Sequence, residues 1–383
     1  MAAMVNATAV HAFELDNIGP GGHSGSVTLG SALALAPHVS QAGKSLTGAA
    51  LIIALVVVSR PPPVSTTAWG ACRMRGGVFM APAYMAHLPR WRVRRTRWAY
   101  PPTRPVHALG HAGQQAASLM FTHHGGMGKR LLAGQAARAG TFAALLAQNG
   151  FTNAPNVFEA EYGGFCSAHT GNQCPPKYDL AEITRDLRSH YHTADVRFKM
   201  WATRIPNHGT LEAICAMRKQ RDFKADDVKA LRIRLGKGYL QNVAWAYKPT
   251  TITSAQLNLY FVSAIMLLEN DVFTAQFTEE KVRDPRVLDL IQRIEITHDP
   301  ALDGKGYVHG NPVEVELHDG TVLKAWGKAR GDTDNPVHMS DIIEKFNKVT
   351  YRRLDAAKTA NISALCERLD TLDDVSEWIE LLL

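Results

Sequence analysis

The chain has 383 residues, enough for two domains and a substantial core, and 46% hydrophobic with 20% charged residues describes a folded soluble protein. A net charge of +7 points towards nucleic acid, but residues 60–104 hold nine arginines and no lysine or acid, which leaves −2 for the rest. A generally basic protein is thereby excluded.

Residues 2–12 and 27–39 read as helices joined by the turn-forming "DNIGPGGHSGS". In and around that turn stand His11, Glu14, Asp16 and His23, residue types that serve as acid–base groups or metal ligands. A capping turn with a surface histidine explains the same pattern. The apolar run "ALIIALVVV" within residues 50–58 is too short to cross a bilayer and too late for a signal peptide, so it reads as a buried helix or strand.

The next segment, residues 60–105, differs in kind from its flanks. It holds eight of the nineteen prolines and three of the seven tryptophans, and no apolar period survives more than a few positions. Nine like charges among so many prolines predict an irregular, exposed segment that cannot offset the cost of ordering. "RWRVRRTRW" (90–98) allows a nucleic-acid arm, with arginines on phosphates and tryptophans stacked on bases. Ala-rich helical sequence on both sides fits better with a coding sequence read out of frame.

Helical patterns return at 107–121 and 130–149, around "HHGGMGKRLLAGQAARAG" (123–140). This is not a phosphate-cradling P-loop: Gly128-Lys129 is followed by Arg130 rather than a hydroxyl residue, and His123 stands where the first glycine belongs. What remains is a Gly-rich turn opening a helix, with Lys129 and Arg130 beside free N–H groups that suit an anion. A buried helix with a merely solvated basic end is the alternative.

Residues 179–193 read as an amphipathic helix with Leu180, Ile183 and Leu187 on one face. "DVRFKMWAT" (195–203) reads as a strand carrying Lys199, followed by Arg204 and His208; a lysine on an edge strand is the plain reading. A helix at 209–220, a strand at 228–236, an apolar helix at 254–271 with Tyr260, and a hairpin at 313–327 follow. "SDIIEKFNKVT" opens a helix with Ser340 as N-cap and Glu344 near the capping-box position, and the last residues are helical. Helices, then an α+β unit, then helices predict a mainly α fold: a helical domain (1–195 and 336–383) carrying an inserted α+β domain (196–335).

Five scattered cysteines (Cys72, Cys166, Cys174, Cys215, Cys366) form no C-x-x-C pair, which predicts reduced thiols in an intracellular protein. No H-E-x-x-H, G-x-S-x-G or G-x-G-x-x-G occurs, so metal hydrolases, α/β-hydrolases and dinucleotide folds find no support.

"VNATAVHAFELDN" with "GGHSGSVTL", then "HGGMGKRLLAGQAARAG", "YGGFCSAHTG" and "RFKMWAT…NHG", resembles the MmgE/PrpD family of 2-methylcitrate dehydratases, cis-aconitate decarboxylases and iminodisuccinate epimerases. The resemblance covers residues 1–58 and 106–383. It implies a helical domain with an inserted α+β lid, and a lyase acting on a small di- or tricarboxylate, by dehydration or decarboxylation, without metal or organic cofactor. A dicarboxylate epimerase sharing the proton step is the alternative of the same class, and a non-catalytic basic nucleic-acid binder the alternative of another. By the same resemblance Glu14, His23, Lys129, Lys199 and His208 are the catalytic set, while Gly126, Gly128, Arg130, Arg204 and Tyr260 hold substrate. The family's lid tyrosine falls at Phe261, one place after Tyr260; Arg204 stands where His or Cys is frequent; and a further active-site histidine belongs where residues 60–105 lie, with His87 in unmatched surroundings. The family carries more helices before "VNATAVHAFELDN", so the resemblance implies an N-terminal truncation. It also implies a homodimer, no membrane or nucleic-acid partner, and a cytoplasmic location, with the mitochondrion as the alternative.

If the frame reading holds, shifting the frame between about codons 58 and 106 yields Ala-rich helical sequence containing a histidine. Stop codons in both alternative frames, read by resequencing the gene, would exclude it.

Overall fold

The computed structural model describes residues 1–19, 22–41, 43, 45–58, 103–116, 126–170, 178–186, 189–306, 309–351 and 353–382. Among the described residues five helices come first: α1 (Ala2–His11), α2 (Ser24–Gln41), α3 (Gly48–Val58), α4 (Thr103–Gln114) and α5 (Leu131–Gln148). Their interfaces are built from alanine. Ala3 and Ala7 of α1 bury against Val27 of α2, Ala112 of α4 and Ala133, Ala136 and Ala137 of α5. Two glycines set how closely the backbones approach. A Cβ at Gly30 would stand 2.5 Å from the Ala7 nitrogen, and one at Gly134 would stand 2.1 Å from Thr8 Oγ1. α1 is thus wedged between α2 and α5, and its C-terminal residue, His11, is carried inward with 1% exposure.

After α5 the chain passes into the α+β part. α6 (Ile205–Gln220) begins with Pro206 in its first turn, where the missing N–H costs nothing. β1 (Val228–Leu235) follows, then α7 (Leu259–Glu269), α8 (Pro285–Gln292), β2 (Ile294–His298), β3 (Asn311–Leu317) and β4 (Val322–Gly327). The strands form one mixed sheet in the order β2-β1-β3-β4: β1 runs parallel to β2 and antiparallel to β3, and β3 and β4 form the hairpin. Gly320, at φ 85, supplies the left-handed residue of its turn. One face of the sheet buries Leu231, Ile233, Val313 and Val315 against Leu211, Ile214 and Met217 of α6 and the apolar face of α7.

α9 (Met339–Thr350) and α10 (Ala356–Glu367) close the chain with a short helix, Ser376–Leu382. Leu365, Val375, Trp378 and Ile379 pack on Leu35 of α2 and Leu51 and Ala54 of α3, and Gly48 N–H donates to Leu372 O at 2.9 Å. The two ends of the sequence therefore share one core, with the strands between them in sequence. No helix among the described residues is long and apolar enough to cross a membrane.

Several local expectations are corrected. Residues 179–193 do not form one amphipathic helix: Leu180–Ile183 and His192–Asp195 are isolated 3-10 turns, and Leu180 and Ile183 are only half-buried. Among the described residues of that face Leu180 packs on Phe165 and Cys166 while Ile183 joins no apolar cluster, too little packing to offset a helix's nucleation cost. Residues 195–203 form no strand: Asp195 ends a 3-10 turn, 201–203 bend, and between them an irregular stretch pairs only through the bridge of Arg197 with Ile18. The apolar helix is interrupted at Asn258, whose side chain accepts from the Phe261 N–H and starts α7 anew. α9 begins one residue before Ser340, at Met339, because Asp341 accepts from the His338 N–H at 2.8 Å. The arginine-rich run 60–102, with His87 and residues 90–98, lies outside the described residues. Its last expected residues, Thr103 to Pro105, open α4.

The α1–α5 contact leaves no room at Gly134. Gly134→Val is expected to lower stability by about 1–3 kcal/mol through overpacking, seen as a lower thermal midpoint. A surface control, Gly128→Ala, meets nothing within 4 Å and should change it little.

Candidate active site

The end of α1, the following turn and the start of α2 bring three ionisable groups onto one point. His11 Nδ1 and His23 Nδ1 lie 2.8 and 2.9 Å from the same oxygen, Asp16 Oδ2. The two rings meet edge to face, 4.3 Å between centroids. Both nitrogens donate to that oxygen, which fixes the His11 tautomer: its Nε2 carries the lone pair and accepts from Lys129 Nζ at 2.8 Å.

Glu14, in the same turn, pairs with Lys129 on one oxygen and with Lys199, at 2.5 Å, on the other. Lys199 Nζ also stands 3.7 Å from Asp16 Oδ1. Glu14 has φ 56, a left-handed backbone that a non-glycine residue adopts at a cost of about 1–3 kcal/mol. Lys345 of α9 holds this turn from outside, donating to Leu15 O at 2.5 Å.

Each cation reaches the cluster by a different route. Lys129 ends the 3-10 turn Met127–Lys129 that leads into α5, and its side chain turns inward with 2% exposure. Lys199 is fixed through its neighbours: Arg197 exchanges backbone hydrogen bonds with Ile18, and Phe198 N–H donates to Gly331 O at 2.9 Å. Gly331 is at φ 88, and a Cβ there would meet Phe198 O. Arg197 Nε donates to Asp332 Oδ1 at 2.7 Å, which secures the same crossing.

Burial and charge set the protonation states. Burial, assisted by Lys129, lowers His11 well below its usual range, so it stays neutral. Burial works against the Asp16 carboxylate, yet His11, His23 and Lys199 together hold it well below the usual carboxylate range. Lys129 is lowered by burial and then by Lys199 and Arg204. Lys199 and Lys345 are each pushed down to about 8, mainly by burial, with Asp16 opposing.

Glu14, His23, Lys129 and Lys199 thus meet in one buried cluster. His208, in the first turn of α6, is fully buried beside it; its Nε2 faces Thr203 O at 3.3 Å. Arg204 caps α6, donates to Asn242 O at 2.6 Å and lies close enough to act on both lysines. Arg130 is half-buried with its guanidinium 5.2 Å from the Phe13 ring centroid. Gly126 and Gly128 border open space, where a Cβ would meet nothing. Tyr260 packs against the α+β core and makes no hydrogen bond to the cluster among the described residues. Sequence reasoning marked His11 and Asp16 as candidate acid–base groups or metal ligands but left them out of the catalytic set, and it missed Lys345 altogether. The histidine-acid turn was the signal for the first two; nothing local marks a lysine 330 positions from Leu15.

His11, Asp16 and His23 also have donor atoms close enough for a metal ion. Lys129 on His11 and Lys199 near Asp16 supply positive charge beside the point where such an ion would sit. The cluster is built instead for anions and for proton movement: buried ammonium groups to face carboxylates, and a histidine, His23, aligned by a carboxylate.

Two family models match the chain. That of the MmgE/PrpD N-terminal domain covers residues 100–176, and that of the MmgE/PrpD C-terminal domain covers residues 201–371. Lys129 falls in the first, and His208 and Lys345 in the second. Among curated proteins, a cis-aconitate decarboxylase-like protein, oryM, of Aspergillus oryzae is 29% identical over 399 residues, spanning 100% of this chain and 82% of the relative. A cis-aconitate decarboxylase of Aspergillus terreus is 27% identical over 395 residues, spanning 100% of this chain and 80% of the relative.

The buried imidazole of His208 makes stability depend on pH. It is pushed down to about 3, first by burial and then by Lys199, against an ordinary value of 6.5. Between those values the unfolded chain binds the proton and the folded chain does not, so stability falls as pH drops from about 6.5 towards 3. In urea unfolding between pH 7 and pH 4, His208→Gln should show a shallower loss than the parent. Parallel curves would exclude this role.

Proposed function

Since the chain belongs to the MmgE/PrpD family, we propose that it is a cofactor-independent lyase acting on a small unsaturated di- or tricarboxylate, with decarboxylation the favoured reaction. The observation that carries this reading is the buried meeting of Lys129 and Lys199 on Glu14, next to two histidines that share Asp16. Relatives named as cis-aconitate decarboxylases favour loss of CO2 over loss of water.

In this reading, Lys129 and Lys199 exchange part of their pairing with Glu14 for substrate carboxylates, with Arg204 adding positive potential. The C–C bond to one carboxylate breaks, CO2 leaves, and the bonding pair passes into the conjugated acid that remains. Fixed cations stabilise that developing charge in a site shielded from water. His23, oriented by Asp16, takes up a proton from solvent while the site is open and then donates it to the carbon that lost CO2. Glu14 keeps the lysines in place between turnovers.

We assign residues 196–335 as a lid over the helical domain, with Lys199 arriving from the lid side and Lys129 from the helical side. The cluster residues are at most 8% exposed, so substrate entry requires the two parts to separate. Gly126, Gly128 and Arg130 border the helical side of that opening, and Tyr260 belongs to the lid.

The test is conversion of cis-aconitate followed by proton NMR, with released CO2 measured in parallel. Lys129→Met should keep the fold and weaken polycarboxylate binding by about 1.5–3 kcal/mol, the value of one charge-assisted contact. That weakening is read as a smaller ligand-induced rise in melting temperature. Equal ligand stabilisation in mutant and parent would remove Lys129 from the site, and no turnover of any unsaturated polycarboxylate would overturn the reading.

A further inference from the structure

Just before the crossing that carries Lys199, "HYHTAD" (residues 190–195) gathers a second set of ligand-type side chains. Tyr191 is extended, at φ −109 and ψ 106, so His190 and His192 fall on the same side of the chain. The 3-10 turn His192–Asp195 then brings Asp195 under His192. His190 Nε2 is 2.9 Å and His192 Nδ1 is 3.2 Å from one oxygen, Asp195 Oδ2, and the ring centroids are 4.6 Å apart. All three donor atoms lie within 4.8 Å of one another. The turn is anchored to the end of α3, where Thr193 Oγ1 donates to Val56 O at 3.1 Å.

We propose that His190, His192 and Asp195 bind a divalent transition-metal ion such as zinc. Imidazole and carboxylate donors suit such ions. With metal–ligand bonds of about 2.0–2.1 Å, a tetrahedral shell sets its donors roughly 3.3 Å apart, close to the two separations found here. Among the described residues the partners of Asp195 are these two imidazoles, with no lysine or arginine to compete. That separates it from His11, Asp16 and His23, where Lys129 sits on His11 Nε2 and Lys199 stands 3.7 Å from Asp16 Oδ1, so that two ammonium groups border the position a cation would take. The side chains are 46%, 23% and 38% exposed, which leaves water to complete the shell. On binding, His190 Nε2 and His192 Nδ1 give up their protons to the opposite ring nitrogens and coordinate through their lone pairs.

The experiment uses the full chain, free of any affinity tag, titrated with zinc chloride by calorimetry and with cobalt(II) by visible absorption. One zinc per chain and a cobalt d–d band are expected. His190→Ala, His192→Ala and Asp195→Asn should each weaken zinc binding by at least about tenfold, since even an outer-shell change costs that much. Asp16→Asn should leave it unchanged; if that variant does not fold, His23→Gln replaces it. No binding, binding that survives both histidine variants, loss in the Asp16 or His23 variant, or equal affinity for magnesium would each overturn the proposal.

Discussion

Burying Lys129, Lys199, Glu14 and Asp16 together is the constraint on which the rest of the site depends. None of these groups is stable in the interior alone, because an unpaired buried charge costs several kcal/mol. Together they offset one another: His11 and His23 both bond Asp16 Oδ2, and Lys199 stands 3.7 Å from Oδ1. Glu14 holds both lysines and Lys199 also faces Asp16, so the four positions share their pairing and the loss of one is partly taken up by the rest. The lowered Lys129, Lys199 and Lys345 record how incomplete that balance is: burial presses each ammonium to release its proton, neighbouring cations add to this at Lys129, and Asp16 opposes it at Lys199 and Lys345.

The alanine-built helices serve this cluster. Gly30 and Gly134 let α1 sink between its neighbours, which delivers His11 and the strained Glu14 turn to the interior. Ion pairs from two sides and the Lys345 contact at Leu15 hold that turn in its left-handed form. Strain at Glu14 fits a carboxylate that must point at two lysines arriving from different parts of the chain.

The two His–His–Asp groups show how surroundings decide chemistry. Both place two imidazoles on one carboxylate oxygen. Around Asp16 the neighbours are ammonium groups and the site is dry, which suits anions and proton transfer. Around Asp195 the side chains are partly exposed and, among the described residues, no lysine or arginine pairs with the carboxylate, which suits the metal proposed for it.

The sequence alone determined the order of helices, sheet and helices, because apolar spacing and turn residues are local signals. It also marked the histidine-acid turn and the Gly-rich turn of Lys129, both recognisable as short motifs. The segments it misread, residues 179–193 and 195–203, share one cause: a pattern becomes a helix or a strand only when a neighbour covers its face or pairs its edge. Tertiary structure alone decided that Lys199 reaches Glu14, that His11 joins Lys129, and that Lys345 closes the turn from the far end of the chain. Those contacts join residues more than a hundred positions apart, and the chain's spacing carries no record of which distant charges will be buried together.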